Sequence, residues 1–107
     1  MNDAERAERF HQVTDILRCK WAVAVVESIA QGHHRPNQIQ HRLPGLTNKV
    51  LADRLAKLQS FGMVDRTAHA EIPPRVEYTL TPRGEQLLGL IGSISEFVDR
   101  WPEGDAR

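Results

Sequence analysis

PNQIQHRLPGLTNKVLADRLAKLQSF runs from Pro36 to Phe61, and the way it divides decides the fold. Pro36 suits the first turn of a helix, where its missing N–H costs nothing. Ile39 and Leu43, four residues apart, carry that short helix to about Leu43. Pro44-Gly45 is a turn signal. Thr47 then reads as the N-cap of a further helix reaching about Phe61, and Gly62 ends it. At about 100° per residue, Leu51, Leu55 and Leu58 fall on one side as a core stripe. Lys49, Asp53, Ala56 and Ser60 fall on the other. Two helices joined by a tight turn, the second with a polar face left free, make a helix-turn-helix.

Working outward, Met63–His69 and Val76–Leu80 read as two strands. In the second, Val76, Tyr78 and Leu80 alternate with Glu77 and Thr79, the pattern of a half-buried strand. The bend between them is long, basic and stiffened by Pro73-Pro74, unlike a purely structural hairpin with Gly or Asn at its tip. Thr81-Pro82 is an N-cap followed by a proline. It opens a last helix striped by Leu87, Leu90, Ile91, Ile94, Val98 and Trp101, with Pro102 and Gly104 as stops. Upstream, Ala4–Arg18 carries Phe10, Val13, Ile16 and Leu17 at helical spacing. A mostly apolar helix, Lys20–Gln31, follows a bend near Cys19. The expected fold is mainly α with a small β-hairpin (α+β), a winged helix-turn-helix in which the hairpin is the wing. One domain is expected over residues 1–107: the helix-turn-helix at 36–61, the wing at 63–80, and outer helices at 1–18 and 81–101.

The bulk properties narrow the function classes. The chain has 107 residues, 40% hydrophobic and 26% charged, a composition ordinary for one small globular domain. No apolar run approaches the roughly 18 residues of a membrane helix. The opening MNDAERAERF is charged and lacks an apolar leader, so a cytoplasmic location is expected. Net charge is zero, but it is unevenly placed: residues 33–83 carry +4, against −1 before and −3 after. A zero total can conceal a basic binding segment in this way.

Five histidines and one cysteine are the remaining chemistry. His33, His34 and His41 cluster, while His11 and His69 stand apart. No pair has the spacing of ligands on one helical face, and no cysteine or carboxylate set completes a tetrahedron, so no metal site is expected. The three clustered histidines are expected to add pH-dependent positive charge near a nucleic acid. Cys19 has Arg18 and Lys20 as neighbours, which favours thiolate, but no catalytic partner adjoins it. No glycine-rich phosphate loop is present. Neither an enzyme nor a cofactor is expected, and Cys19 reads as a small buried thiol or, alternatively, a redox switch.

A helix enters the major groove and reads base edges with its first residues. Asn48 and Lys49 are therefore the expected base or base-adjacent contacts, with Thr47 capping the helix and reaching a phosphate. Asp53 either accepts from a cytosine, holds Arg54, or lies too deep to meet DNA. Arg35, Gln38 and Arg54 are phosphate candidates. At the wing, Pro74 stiffens the tip and Arg75 meets the backbone or minor groove. The alternative is that Arg75 pairs with Glu71 or Glu77 on the surface. A winged helix that binds protein rather than DNA is the rival function; it predicts no binding to generic duplex at low salt.

The stretches KWAVAVVESIAQG, RPNQIQHRLPGLTNKVLADRLAKLQSFGMVDR and EIPPRVEYTLTPRGEQLL together resemble the HxlR-type (DUF24) winged-helix transcriptional regulators, over roughly residues 16–92. The Lys20-Trp21 pair, the Leu43-Pro44-Gly45 turn and Pro73-Pro74-Arg75-Val76-Glu77-Tyr78 carry the likeness. It implies a homodimer on double-stranded, pseudo-palindromic operator DNA, repressing or activating, with an effector the sequence does not specify. It also implies a dimer built from the first and last helices. Phe10, Val13, Leu17, Leu87, Ile91, Ile94, Val98 and Trp101 offer the apolar surface for it. Thiol-sensing members carry a cysteine near the N-terminus; here that neighbourhood reads Ala7-Glu8-Arg9-Phe10. The only thiol is Cys19, where members commonly carry glycine.

Overall fold

A computed structural model describes residues 1–103. The chain forms α1 (Asp3–Arg18), α2 (Ala22–Ala30), α3 (Pro36–Arg42), α4 (Asn48–Ser60), β1 (Val64–His69), β2 (Arg75–Leu80) and α5 (Pro82–Asp99). The expected order of helices and hairpin is present, with boundaries displaced by one or two residues. Gly104, one of the expected stops, lies outside the described residues, and Pro102 follows the observed end of α5.

Local chemistry accounts for most boundaries. Asn2 caps α1 by accepting from the Glu5 N–H, and Asp3 and Glu5 in the first turn oppose Arg18 in the last, as the helix dipole favours. Thr47 and Thr81 each accept a backbone N–H three residues on, from Val50 and Gly84. Pro36 and Pro82 occupy first-turn positions, where no hydrogen bond is lost.

The second helix departs from expectation: it begins at Ala22, not Lys20, because Trp21 adopts a left-handed conformation with φ 75°. Few bulky residues do so without compensation. Here the compensation is packing, since Trp21 lies partly buried against the core. A Cβ built on Gly45 would meet its ring at 3.8 Å. Trp21 therefore buttresses the turn of the helix-turn-helix. Gly45 itself has φ 95°, which suits glycine alone, and Gln40 Nε2 donates to the Leu46 carbonyl (2.9 Å) to close the turn.

α2 is the hub. It touches every other helix and β2, and buries Ala22, Val25, Val26 and Ile29. Ile16, Ile39, Leu46, Leu51, Leu55, Leu58, Met63, Val64, Leu87 and Ile91 complete one core. The predicted leucine stripe of α4 is thus the stripe that is buried.

β1 and β2 pair antiparallel, from Val64 opposite Leu80 to His69 opposite Arg75. The Tyr78 N–H donates to the His34 carbonyl (2.8 Å) and the His34 ring bonds the Tyr78 carbonyl (3.0 Å). His34 thus ties the segment before α3 to the second strand. At the base of the hairpin, Thr81 donates its hydroxyl to the Gly62 carbonyl (2.6 Å) and its N–H to the Met63 carbonyl. The exit of α4 and the start of α5 are locked together there.

The apolar stripes of the outer helices divide. Leu87 and Ile91 are buried in the chain's own core, and Val13 and Leu17 pack against it. All four were expected at a dimer face; Leu87 and Ile91 are enclosed by the chain's own packing, while Val13 and Leu17 are only partly covered and keep some surface. Phe10, Ile94, Val98 and Trp101 remain exposed, joined by Leu90 and Phe97.

Candidate nucleic-acid interface

The start of α4 is open. Thr47, Asn48, Lys49, Ala52, Asp53 and Ala56 are all exposed, because Leu51, Leu55 and Leu58 hold the opposite face to the core. Small side chains at 52 and 56 leave the backbone approachable. The first N–H groups of a helix attract anions, and Thr47 Oγ1 satisfies that of Val50. Among the described residues, Lys49 and Asp53 make no ion pair, so Asp53 does not hold Arg54.

Arg54 Nε donates to the Lys20 carbonyl at 2.7 Å, pinning α4 to the unwound joint between α1 and α2. That bond uses one of its N–H groups, so the phosphate contact expected of Arg54 falls to its two terminal nitrogens, which make no hydrogen bond among the described residues. Gln38 accepts the Arg35 N–H through Oε1 at 3.2 Å, and its amide nitrogen stays exposed. Arg35 is half-buried and shares a groove with Glu71, Pro73, Pro74 and Arg75. The start of α3 and the wing tip therefore lie side by side.

The wing cation is already partnered. Arg75 Nη2 lies 3.2 Å from Glu71 Oε1, and its Nε lies 3.6 Å from Glu77 Oε1. Glu77 also takes His69 Nε2 at 2.7 Å. The antiparallel register brings this about, since His69 faces Arg75 and Glu77 follows two residues on. Of the two readings of Arg75, surface pairing is the arrangement in the free protein. Its Nε is buried with no hydrogen-bond partner among the described residues, which leaves donor capacity unspent. At the tip, Ile72 is fully exposed. Sequence reasoning passed over it; an isoleucine between Glu71 and Pro73 on a polar bend was the signal.

Cys19 is half-buried rather than buried, at the end of α1. Lys57 from α4 reaches it, Nζ to Sγ 3.1 Å, while Asp15 holds the same ammonium at 2.6 Å. Arg18 pairs with Asp15 as well. The Lys57 contact holds the Asp15 carboxyl below its ordinary range, and Asp15 first, then Cys19, raise Lys57. A carboxylate held low stabilises the fold above its unfolded value and loses that contribution as pH falls through the folded one. The expected result is that Asp15→Asn flattens the loss of Tm below about pH 4, measured by circular dichroism melts. Wild type and variant converge in acid and separate toward neutrality. Parallel curves at all pH values would remove Asp15 from this role.

His33 and His41 line a shallow groove with Asn37, Gln38 and Arg42, while His34 is held by Tyr78. Among the described residues no three His, Cys, Asp or Glu converge as metal ligands. No helix among them is long and apolar enough to cross a membrane.

A helical core gathered around α2, a helix-turn-helix whose second helix presents a free polar face, and a two-stranded wing define a winged helix-turn-helix protein. Residues 16–106 match the HxlR-like helix-turn-helix family, and the chain belongs to that family. It is 37% identical over 101 residues to YvaP of Bacillus subtilis (strain 168), an uncharacterized HTH-type transcriptional regulator, covering 94% of each chain. Among solved structures, one from Enterococcus faecalis V583, described as a transcriptional regulator of the MarR family, superposes with TM-score 0.77 at 31% identity. That match covers 92% of this chain and 87% of the other. The redox regulator HypR in its oxidized form gives TM-score 0.72 at 27% identity, over 83% and 92% of the respective chains. The protein is a DNA-binding transcriptional regulator, not an enzyme, as its family and relatives are.

Proposed function

We propose that the chain acts as a homodimer on a pseudo-palindromic operator, as one winged-helix unit over residues 1–107. The recognition segment 47–61 enters the major groove of each half-site, and the wing, 69–76, meets the backbone or minor groove. The observation that carries this reading is the open, small-residue, cationic start of α4. Asn48 and Lys49 make the base or base-adjacent contacts there, and Thr47 reaches a phosphate. Asp53 lies one turn deeper, at the limit of the contact. Arg35 and Gln38 serve the backbone beside the wing. Arg54 anchors α4 at Lys20 and offers its two terminal nitrogens to a phosphate, and Cys19 serves the Lys57–Asp15 joint. Selection of bound duplexes from a random pool tests the whole: a two-fold symmetric consensus with half-sites about one helical turn apart is expected, and an asymmetric or absent consensus would sink it.

Arg75 reaches phosphate by exchanging its carboxylates, and Pro74 limits the entropy of holding it. Glu71→Gln is expected to raise operator affinity a few-fold, because an exposed pair is worth about 0.2–1 kcal/mol and a like charge leaves the phosphate's vicinity. Unchanged or weaker binding in a gel-shift titration would mean that Arg75 stays paired on DNA.

The dimer face is the strip the core leaves uncovered: Phe97 at 61% exposure, Val98 at 55%, Trp101 at 49%, with Ile94 and Phe10 beside it. The Phe97 and Trp101 rings meet edge to face at 5.8 Å, and aromatic anchors of this kind dominate interfaces. Phe97→Ala is expected to weaken self-association about tenfold by analytical ultracentrifugation. A monomeric wild type would refute the dimer outright.

A further inference from the structure

The apex of the wing is apolar. His69 faces Arg75 across the last rung of the hairpin, and the loop between them reads Ala70-Glu71-Ile72-Pro73-Pro74. Ile72 is its midpoint, as far from one strand as from the other, and its side chain is fully exposed. The tip of a turn more often carries Gly, Asn, Asp or Ser. The Glu71 N–H donates to the His69 carbonyl at 2.9 Å, and the Glu71 carboxylate pairs with Arg75. The loop's one charged side chain therefore points back toward the strands. Arg35 and Arg75 sit behind the tip, in the groove they share with Glu71, Pro73 and Pro74, and the Arg75 side chain is only 30% exposed. A duplex approached by the wing meets Ile72 before it meets either cation.

We propose that Ile72 is an apolar wedge that enters the minor groove and opens a base step there, bending the operator at each half-site. This rests on the DNA reading above and adds a deformation of the duplex to it. The minor groove, about 6 Å wide, admits a single aliphatic side chain. Isoleucine and leucine are among the residues that push between base steps, unstacking them in part and kinking the duplex by about 20–90°. Isoleucine is stiff at χ1, and the two prolines fix the backbone on one side of it, so little conformational freedom is lost on insertion. Removing its side chain from water offsets part of the cost of unstacking, which a polar tip could not do. Set back from the tip, Arg35 and Arg75 are left for the phosphates that border the groove. The wedge also carries sequence preference without a hydrogen bond to any base. Pyrimidine–purine steps unstack most readily, so the wing favours such a step wherever it lands.

The test uses the full chain and the duplex recovered by selection from the random pool. 2-Aminopurine, which brightens when it unstacks, replaces single adenines along that duplex, and circular-permutation gel shifts read its bend. Wild type is expected to brighten the probe at one pyrimidine–purine step in each half-site and to bend the duplex by at least about 20°. Ile72→Ser is expected to remove the brightening, straighten the duplex and weaken binding about tenfold. The slope of log K against log salt stays as in wild type, because no cation is lost. Ile72→Leu is expected to keep both signals, leucine being a wedge residue too. Because Ile72 is fully exposed, both variants are expected to melt with wild type, which separates lost binding from lost folding. A straight, dark duplex under bound wild type would overturn the wedge and leave the DNA reading standing. So would wild-type affinity and bend in Ile72→Ser. If that variant altered only the sedimentation of the free chain, the tip would belong against a second copy, and the wedge would be overturned in that way. Recovery of no duplex at all would overturn the DNA reading, and the wedge with it.

Discussion

Reversing the charge at Lys49 is expected to weaken operator binding by about a hundredfold while leaving the fold intact. Lys49 lies in the first turn of α4, exposed and without an ion pair among the described residues. A contact of this kind is worth about 1–3 kcal/mol. The two copies in a dimer lie far enough apart for their losses to add, giving about 3 kcal/mol in all. Stability is expected to move the other way, if at all, since an acidic residue in the first turn favours the helix dipole by about 0.3–1 kcal/mol. A glutamate here therefore separates binding from folding. If Lys49 meets phosphate, the slope of log K against log salt shrinks by about two per dimer. If it meets a base edge, preference relaxes at one position of each half-site. Gel-shift titrations of Lys49→Glu and Lys49→Ala across salt concentrations decide between them. Affinity within threefold of wild type would remove Lys49 from the interface.

The second large effect concerns Gly84. Alanine is the better helix former by about 1 kcal/mol, and Gly84 lies in the first turn of α5, so propensity alone predicts a more stable protein. Packing predicts the opposite. A Cβ on Gly84 would run into the Met63 carbonyl oxygen, and would stand 3.1 Å from the Met63 carbonyl carbon and 3.3 Å from Leu80 Cβ. The obstacle is backbone, which cannot swing aside as a side chain does, and that same oxygen accepts the Thr81 N–H. Overpacking costs about 1–3 kcal/mol, and a weakened buried hydrogen bond adds about 1 kcal/mol. Gly84→Ala is expected to destabilise by about 3 kcal/mol, lowering Tm by about 12 °C or more for a domain of this size. Gly89 provides the contrast, with nothing within 4 Å of a built Cβ. Gly89→Ala is expected to raise stability by about 0.5–1 kcal/mol. Equal melting of Gly84→Ala and wild type would show that α5 does not cross Met63 as closely as described.

The two glycines show where sequence reading stops. Both lie in the same helix, and nothing in their neighbours along the chain distinguishes them. The difference is the Met63 backbone, in the link between α4 and β1, brought up against one and not the other. Arg75 is a similar case: Glu71 and Glu77 are near it in sequence, but their pairing with it depends on how the wing folds back. Cys19 and Lys57 are 38 residues apart, and no local pattern announces their meeting with Asp15. The left-handed turn at Trp21 was hidden as well, because the apolar run there reads as unbroken helix until the ring's place against Gly45 is known.

The helix-turn-helix and its free face were legible in the sequence because their signals are local: Pro36 in a first turn, Pro44-Gly45 as a break, Thr47 as a cap, and leucines at 51, 55 and 58. Each acts within a turn or two of itself, through hydrogen bonds and dihedral preferences that need no distant partner. Which apolar residues of the outer helices go to the core was decided only by tertiary structure. Leu87 and Ile91 turn inward and Phe97 and Trp101 stay in water, although all four are apolar residues of one continuous segment. Periodicity marks a face as apolar, but the hydrophobic effect is non-directional, so the identity of whatever covers that face depends on the packing of the other elements around α2.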